Sequence, residues 1–266
     1  MPALMRNLSL PVLLVLLVTM PAKAKKPETG FLDRSVTVEG TMYKFQVFVP
    51  EDWTAKKKWP VILFLHGAGE RGDDGLVQTE VGLGSAIRQM RSRFAAIVVM
   101  PQCRKEGWWP NAPMDELAMQ ALEQSEKEFR GDPRRVYLTG LSMGGYGTWR
   151  LAGKYPRRFA AIVPICGGIL LPHGGSDPGA QDKKPYEDAA KKIGSATPVW
   201  IFHGGDDDTV PVTESRRMAE AMKALGGEVH YTEYPGVGHD SWNKAYGEPE
   251  LIPWMLSKTL GTAKSK

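Results

Sequence analysis

The sequence predicts an α/β fold: a mostly parallel, doubly wound sheet with an N-terminal antiparallel hairpin and helices on both faces. Three observations carry this. Five near-continuous apolar runs, VILFLHG, FAAIVVMP, RVYLTG, FAAIVPICG and VWIFHGG, read as strands covered on both sides. Helical stretches lie between several of them, the alternation of a parallel sheet. Ahead of them, RSVTVEG and YKFQVFVP alternate apolar and polar residues around the turn signal EGTM, which reads as a hairpin. With 266 residues, 42% of them hydrophobic, the chain is long enough to bury a full core as one domain.

The helices are expected over residues 115–129, 146–154, 186–193 and 212–225. Gly131 with Asp132-Pro133 stops the first, Tyr155-Pro156 the second and Gly226-Gly227 the fourth. EVHYTEYP reads as the last strand, followed by a loop and a terminal helix over 249–260. Residues 168–185 form the longest stretch with neither pattern. They follow the carboxyl end of a strand, where open α/β sheets place their sites.

Residues 1–24 have the layout of a secretory signal. Arg6 precedes the apolar run LSLPVLLVLLV, and Ala22-Lys23-Ala24 forms an A-x-A-like cleavage site. A membrane-spanning helix needs roughly 20 apolar residues, more than this run provides. The expectation is therefore cleavage after Ala24, a single domain over 25–266, and a secreted or periplasmic protein with no stable membrane insertion. The competing reading is an uncleaved anchor. The leader carries Arg6 and Lys23 and no acid, so its removal lowers the net charge from +4 to +2. The remaining basic pairs are scattered, which argues against a nucleic-acid partner.

Chemistry concentrates around GLSMGG. Gly140 and Gly144 flank Ser142 after a buried strand and before a helix, the setting in which a sharp turn strains and exposes a nucleophilic serine. Such a hydroxyl needs a base, an acid and an oxyanion site. An acid is expected after a later strand, and VWIFHGGDDDTVPV offers Asp206, Asp207 and Asp208 without distinguishing them. Among five histidines, His239 alone lies in a glycine-lined loop after the last strand, downstream of the other candidates. The glycine-rich LFLHGAGERGDD should supply one oxyanion amide, at Ala68, and Met143 the other. His66 reads as a structural hydrogen bonder. No spaced His/Cys/Asp cluster suggests a metal, and neither metal nor cofactor is expected.

HGAGERGDD, GLSMGGYGTW, YPRRFAAIVPICGG, HGGDDDTVPV and GVGHDSW together resemble a secreted esterase of the α/β-hydrolase superfamily, near the feruloyl esterases and the polyhydroxybutyrate-depolymerase-like "predicted peptidases". The resemblance spans nearly all of the chain beyond the leader. Its pattern H-G-x-x-D-x-x-V-P, laid on His203 to Pro211, implies Asp207 as the catalytic acid. It also implies two-step acyl transfer by Ser142, His239 and Asp207 on a small or polysaccharide-linked ester. Trp108 and Trp109 are then candidates for lining an acyl or sugar subsite, the alternative being packing against the next helix. The 168–185 loop is a candidate wall. With the superfamily's strand order, Cys103 and Cys166 stand about 14 Å apart at about 4.8 Å per strand. A disulfide needs less than about 7 Å, so they are expected to stay unbridged.

Two other functions compete. A serine peptidase would use the same constellation, although the chain is too short for the added propeller of large oligopeptidases. A non-catalytic binding protein on this scaffold is disfavoured by an intact Ser142, Asp207 and His239.

Overall fold

The computed structural model describes residues 28–109, 111–171 and 182–261. The leader and its cleavage point lie outside them, as does most of the 168–185 stretch. Eight strands form one sheet: β1 (Gly30–Val38), β2 (Thr41–Val49), β3 (Trp59–Leu65), β4 (Ile97–Pro101), β5 (Gly131–Leu141), β6 (Ala161–Ile165), β7 (Val199–Gly204) and β8 (Val229–Tyr234). Their order across the sheet is β1-β2-β4-β3-β5-β6-β7-β8. The first two are antiparallel, and β2 meets β4 antiparallel; from β4 to β8 all pairs are parallel. The β1–β2 link is Glu39-Gly40, both at positive φ, as a two-residue hairpin turn matching strand twist requires.

The central strands explain why their sequences are apolar throughout. In β3, Val61, Leu63 and Leu65 enter one core while Ile62 and Phe64 enter the other. Strand periodicity divides a single hydrophobic run between two covered faces. On the first face lie α2 (Met114–Glu128), α3 (Met143–Lys154), α4 (Lys184–Ile193) and α5 (Thr213–Ala224); on the second lie α1 (Leu83–Gln89), α6 (Trp242–Gly247) and α7 (Leu251–Ser257). Helix α2 buries Met114, Leu117, Ala118, Ala121, Leu122 and Ser125, a stripe at helical spacing. Among the described residues no helix is long and apolar enough to cross a membrane.

Three elements differ from the sequence reading. Helix α1 has no strong punctuation and was not expected. The expected terminal helix is confined to α7, with the short α6 before it. Helix α3 begins at Met143, not at Tyr146, because Gly144 and Gly145 are there for clearance and do not mark a delayed helix start. A Cβ on Gly144 would lie 1.9 Å from the Leu65 carbonyl oxygen, and one on Gly145 2.7 Å from that of Ile165. The helix can start only because both positions lack side chains.

Consecutive strands run outward from β3 to β4, then return past β3 to β5. The reversal opens a crevice between the carboxyl ends of β3 and β5, the place where such sheets bind ligands.

Candidate active site

Ser142 links β5 to α3 at φ 51, ψ −116, a conformation a non-glycine residue adopts only under constraint. Its backbone is fixed from both sides. The Ser142 N–H donates to the Ile165 carbonyl at 2.9 Å, and its own carbonyl accepts from Gly145 and Tyr146 at 2.8 and 3.1 Å. A Cβ on Gly140 would meet the Gly144 carbonyl oxygen at 2.3 Å, so the turn tolerates no side chain there.

His239 lies across from this hydroxyl. Its Nε2 is 2.8 Å from Ser142 Oγ and its Nδ1 is 2.7 Å from Asp207 Oδ2. An ionised carboxylate can only accept, so Nδ1 carries the proton and Nε2 turns its lone pair to the serine. The side chain of Asp207 is fully buried while that of His239 retains 20% exposure.

The three adjacent acids are separated by their surroundings. Asp206 and Asp208 are exposed. Asp207 Oδ1 accepts the amides of Thr209 and Val210 at 2.9 and 2.8 Å, and Oδ2 faces His203 Nε2 at 3.1 Å besides His239. Burial pushes the Asp207 carboxyl up, but the hydrogen bonds from His203, His239 and the Val210 amide outweigh it and hold the group well below the usual carboxylate range.

His203 is a residue the sequence reading left without a role. Its Nε2–H also reaches the Val210 carbonyl at 3.0 Å, so Nδ1 accepts from Ser215 Oγ at 2.6 Å. The imidazole thus steadies the acid from within β7. Its signal was its place four residues before Asp207 at a strand end. The loops that carry Asp207 and His239 are also joined directly: Asp206 N–H donates to the Val237 carbonyl at 3.0 Å, and a Cβ on Gly204 would lie 2.1 Å from the Gly238 carbonyl oxygen.

Ala68 and Met143 flank the serine. Met143 opens α3, so its amide is among those a helix start leaves without an intrahelical partner. Ala68 follows Gly67, where a Cβ would stand 3.8 Å from that of Ser142. The carbonyls of this turn are held from behind. His66 Nδ1–H donates to Gly67 O at 2.6 Å and Arg71 Nε–H to Ala68 O at 2.9 Å. In a trans peptide the Ala68 N–H points opposite to the Gly67 carbonyl, so anchoring one directs the other. His66 Nε2 accepts the Cys103 N–H at 2.9 Å, and burial pushes its pKa down to about 4. The structural role expected of His66 is the one it has.

Trp109 corrects an expectation. It is completely buried, donates its indole N–H to the His66 carbonyl at 2.9 Å and packs edge-on against that imidazole. Its ring therefore belongs to the core under the 66–71 turn and offers no surface to a substrate. Trp108 is half-buried and packs against Tyr146, whose hydroxyl donates to the Leu170 carbonyl at 3.2 Å. The described start of the 168–185 stretch is tied to α5: the buried Glu214 carboxylate accepts from the Ile169 and Leu170 amides and from Tyr186 Oη. Nothing in the sequence distinguished Glu214. Cys103 and Cys166 are both free and buried; burial raises the Cys103 thiol to about 12 and the Cys166 thiol further.

A strained serine at the central strand end, facing a histidine backed by a buried carboxylate, defines with this sheet a serine hydrolase of α/β-hydrolase architecture. The chain belongs to the esterase family described as "Putative esterase", which matches residues 35–252. Acyl-protein thioesterase 1 of Gibberella zeae is 26% identical over 232 residues, 74% of this chain and 91% of that protein. "Probable feruloyl esterase C" of Aspergillus niger is 25% identical over 208 residues, 76% of this chain and 68% of that protein. Among solved structures, a thermostable esterase is 32% identical with a TM-score of 0.73; the match covers 86% of this chain and 63% of that one. A ferulic acid esterase, 17% identical with a TM-score of 0.67 over 85% of this chain and 97% of that one, shares the fold. The chain is an enzyme, a serine ester hydrolase.

Proposed function

We propose that Ser142, His239 and Asp207 form the catalytic triad of an exported carboxylic ester hydrolase acting on acyl esters, feruloyl esters of polysaccharide among them. The observation that carries the reading is the imidazole of His239 within hydrogen-bonding distance of both partners, at 2.8 and 2.7 Å. His239 Nε2 takes the Ser142 proton as Oγ attacks the ester carbonyl. Asp207 fixes the tautomer and stabilises the imidazolium. The Ala68 and Met143 amides receive the oxyanion, each worth about 3 to 4 kcal/mol in comparable sites. Collapse of the tetrahedral intermediate expels the alcohol, which takes the proton from His239. Water then attacks the acyl-serine with the same imidazole as base, releasing the acid and restoring the serine.

The feruloyl assignment is supported by the similarity to a protein named as a feruloyl esterase and by the half-buried Trp108 near the start of the 168–185 stretch. Export rests on the 1–24 pattern, with 25–266 as the single catalytic domain. The test is turnover of a chromogenic acetate ester, methyl ferulate and a peptide amide by the wild type and S142A. Both esters should turn over far faster than the amide, and S142A should be inactive. Preference for the amide would favour the peptidase reading, and unchanged activity in S142A would remove the triad.

A further inference from the structure

One sulfur atom lies among the polar groups of the site and takes no part in the proposed chemistry. Cys166 directly follows β6, at φ 38, and is fully buried. Cys166, Asp207 and His239 each offer a ligand-type atom within 4.8 Å of the other two. Ser241 is also fully buried, and its hydroxyl lies beside the same thiol without a well-formed hydrogen bond to any of the described residues. A buried hydroxyl left without a partner is uncommon and calls for an explanation.

We propose that Cys166, Asp207, His239 and Ser241 form a site for a thiophilic divalent cation, zinc or cadmium, whose binding switches the esterase off. The sulfur, carboxylate and imidazole donors are the set such ions prefer over magnesium or calcium. Metal–ligand bonds of about 2.0 to 2.3 Å place tetrahedral ligands about 3.2 to 3.8 Å apart, so assembly needs shifts of about 1 Å. The exposed edge of His239 gives the ion a way in.

The step involves no oxidation. The ion displaces the Cys166 thiol proton to solvent, Asp207 already contributes a carboxylate, and neutral His239 and Ser241 contribute lone pairs. One proton is released per ion, and two ligand charges neutralise the cation. Coordination through Nδ1 leaves the imidazole proton on Nε2, facing Ser142, and coordination through Nε2 occupies the lone pair itself. Either way the imidazole cannot take the serine proton. This inhibition rests on the reading of His239 as the base; binding does not.

The experiment titrates the full protein with cadmium chloride, following the ultraviolet cadmium–thiolate absorption and ester turnover together. The wild type should develop the band at about one equivalent and lose turnover, with recovery on chelation and no effect of magnesium. C103A should behave like the wild type. C166A should lack the band and need at least about ten times more metal for the same inhibition, as expected when a site is impaired at one ligand. C166S, closer in shape, repeats the comparison if C166A does not fold. No band in the wild type, or equal inhibition of the wild type and both Cys166 variants, would overturn the site. A band with turnover unaffected would overturn the switch and count against His239 as the base, leaving the binding site intact.

Discussion

Asp207→Asn is the most informative single change, because the contacts of the carboxylate dictate how an amide must sit. Oδ1 accepts two backbone amides, from Thr209 at 2.9 Å and Val210 at 2.8 Å. The other oxygen faces ring nitrogens of His239 at 2.7 Å and His203 at 3.1 Å. Asparagine has one acceptor oxygen and one NH2 group. Keeping the oxygen on the two amides turns the NH2 to His239 and to the His203 Nε2–H; the latter keeps only its Val210 carbonyl, and His239 must present its Nδ1 lone pair and carry its proton on Nε2, toward Ser142. Flipping the amide instead sets the NH2 against two N–H donors. The first arrangement wins, and the wrong tautomer faces the nucleophile. The expected loss is about ten-thousand-fold in kcat, about 5 kcal/mol of transition-state stabilisation, with KM little changed. The assay is steady-state hydrolysis of a chromogenic acetate ester, with circular dichroism to verify the fold. D206N and D208N, altered at exposed carboxylates, should stay close to wild type. A natively folded D207N keeping more than a tenth of the wild-type kcat would refute the reasoning.

Other predictions concern the scaffold. Gly144→Ala sets a Cβ 1.9 Å from the Leu65 carbonyl oxygen, backbone against backbone, and should cost more than about 3 kcal/mol in chemical denaturation. His66 stays neutral in the fold down to about pH 4, whereas the unfolded chain takes up the proton near 6.5. Its stabilising contribution is therefore complete above pH 6.5 and is lost as pH falls from 6.5 to about 4, amounting to about 3 kcal/mol. Thermal unfolding of the wild type and H66Q across that range should show a flatter dependence in the variant. His203→Phe removes one donor from the buried Asp207 oxygen and leaves the Ser215 hydroxyl unpaired; it should lower stability by about 1.5 to 3 kcal/mol, read by calorimetry, and shift the acid limb of the pH–rate profile upward.

The sheet was legible because its strands are buried on both faces, and apolar runs such as VILFLHG have no other economical use in a chain of this kind. Ser142 was legible for a related reason: the glycines flanking it mark close backbone approach, which the Gly140 and Gly144 contacts explain, whereas His239 was legible from its place in a glycine-lined loop after the last strand. Asp207 was different. Three neighbouring acids share composition and position, and only the turn back to Thr209 and Val210 buries the middle one, so the choice required a family pattern. Trp109 went the other way, since adjacency to the site suggested exposure while its indole N–H had a carbonyl to satisfy beneath the turn. Helix α1 and Glu214 left no local trace because their roles are set by partners distant in sequence.

Strand order has a final consequence. The proposed nucleophile hangs from β5 at mid-sheet, whereas its proposed base follows β8, a half-covered edge strand. Fraying of that rim would carry the imidazole away while the centre stayed intact, so on gentle heating turnover should vanish before the bulk of the molecule melts.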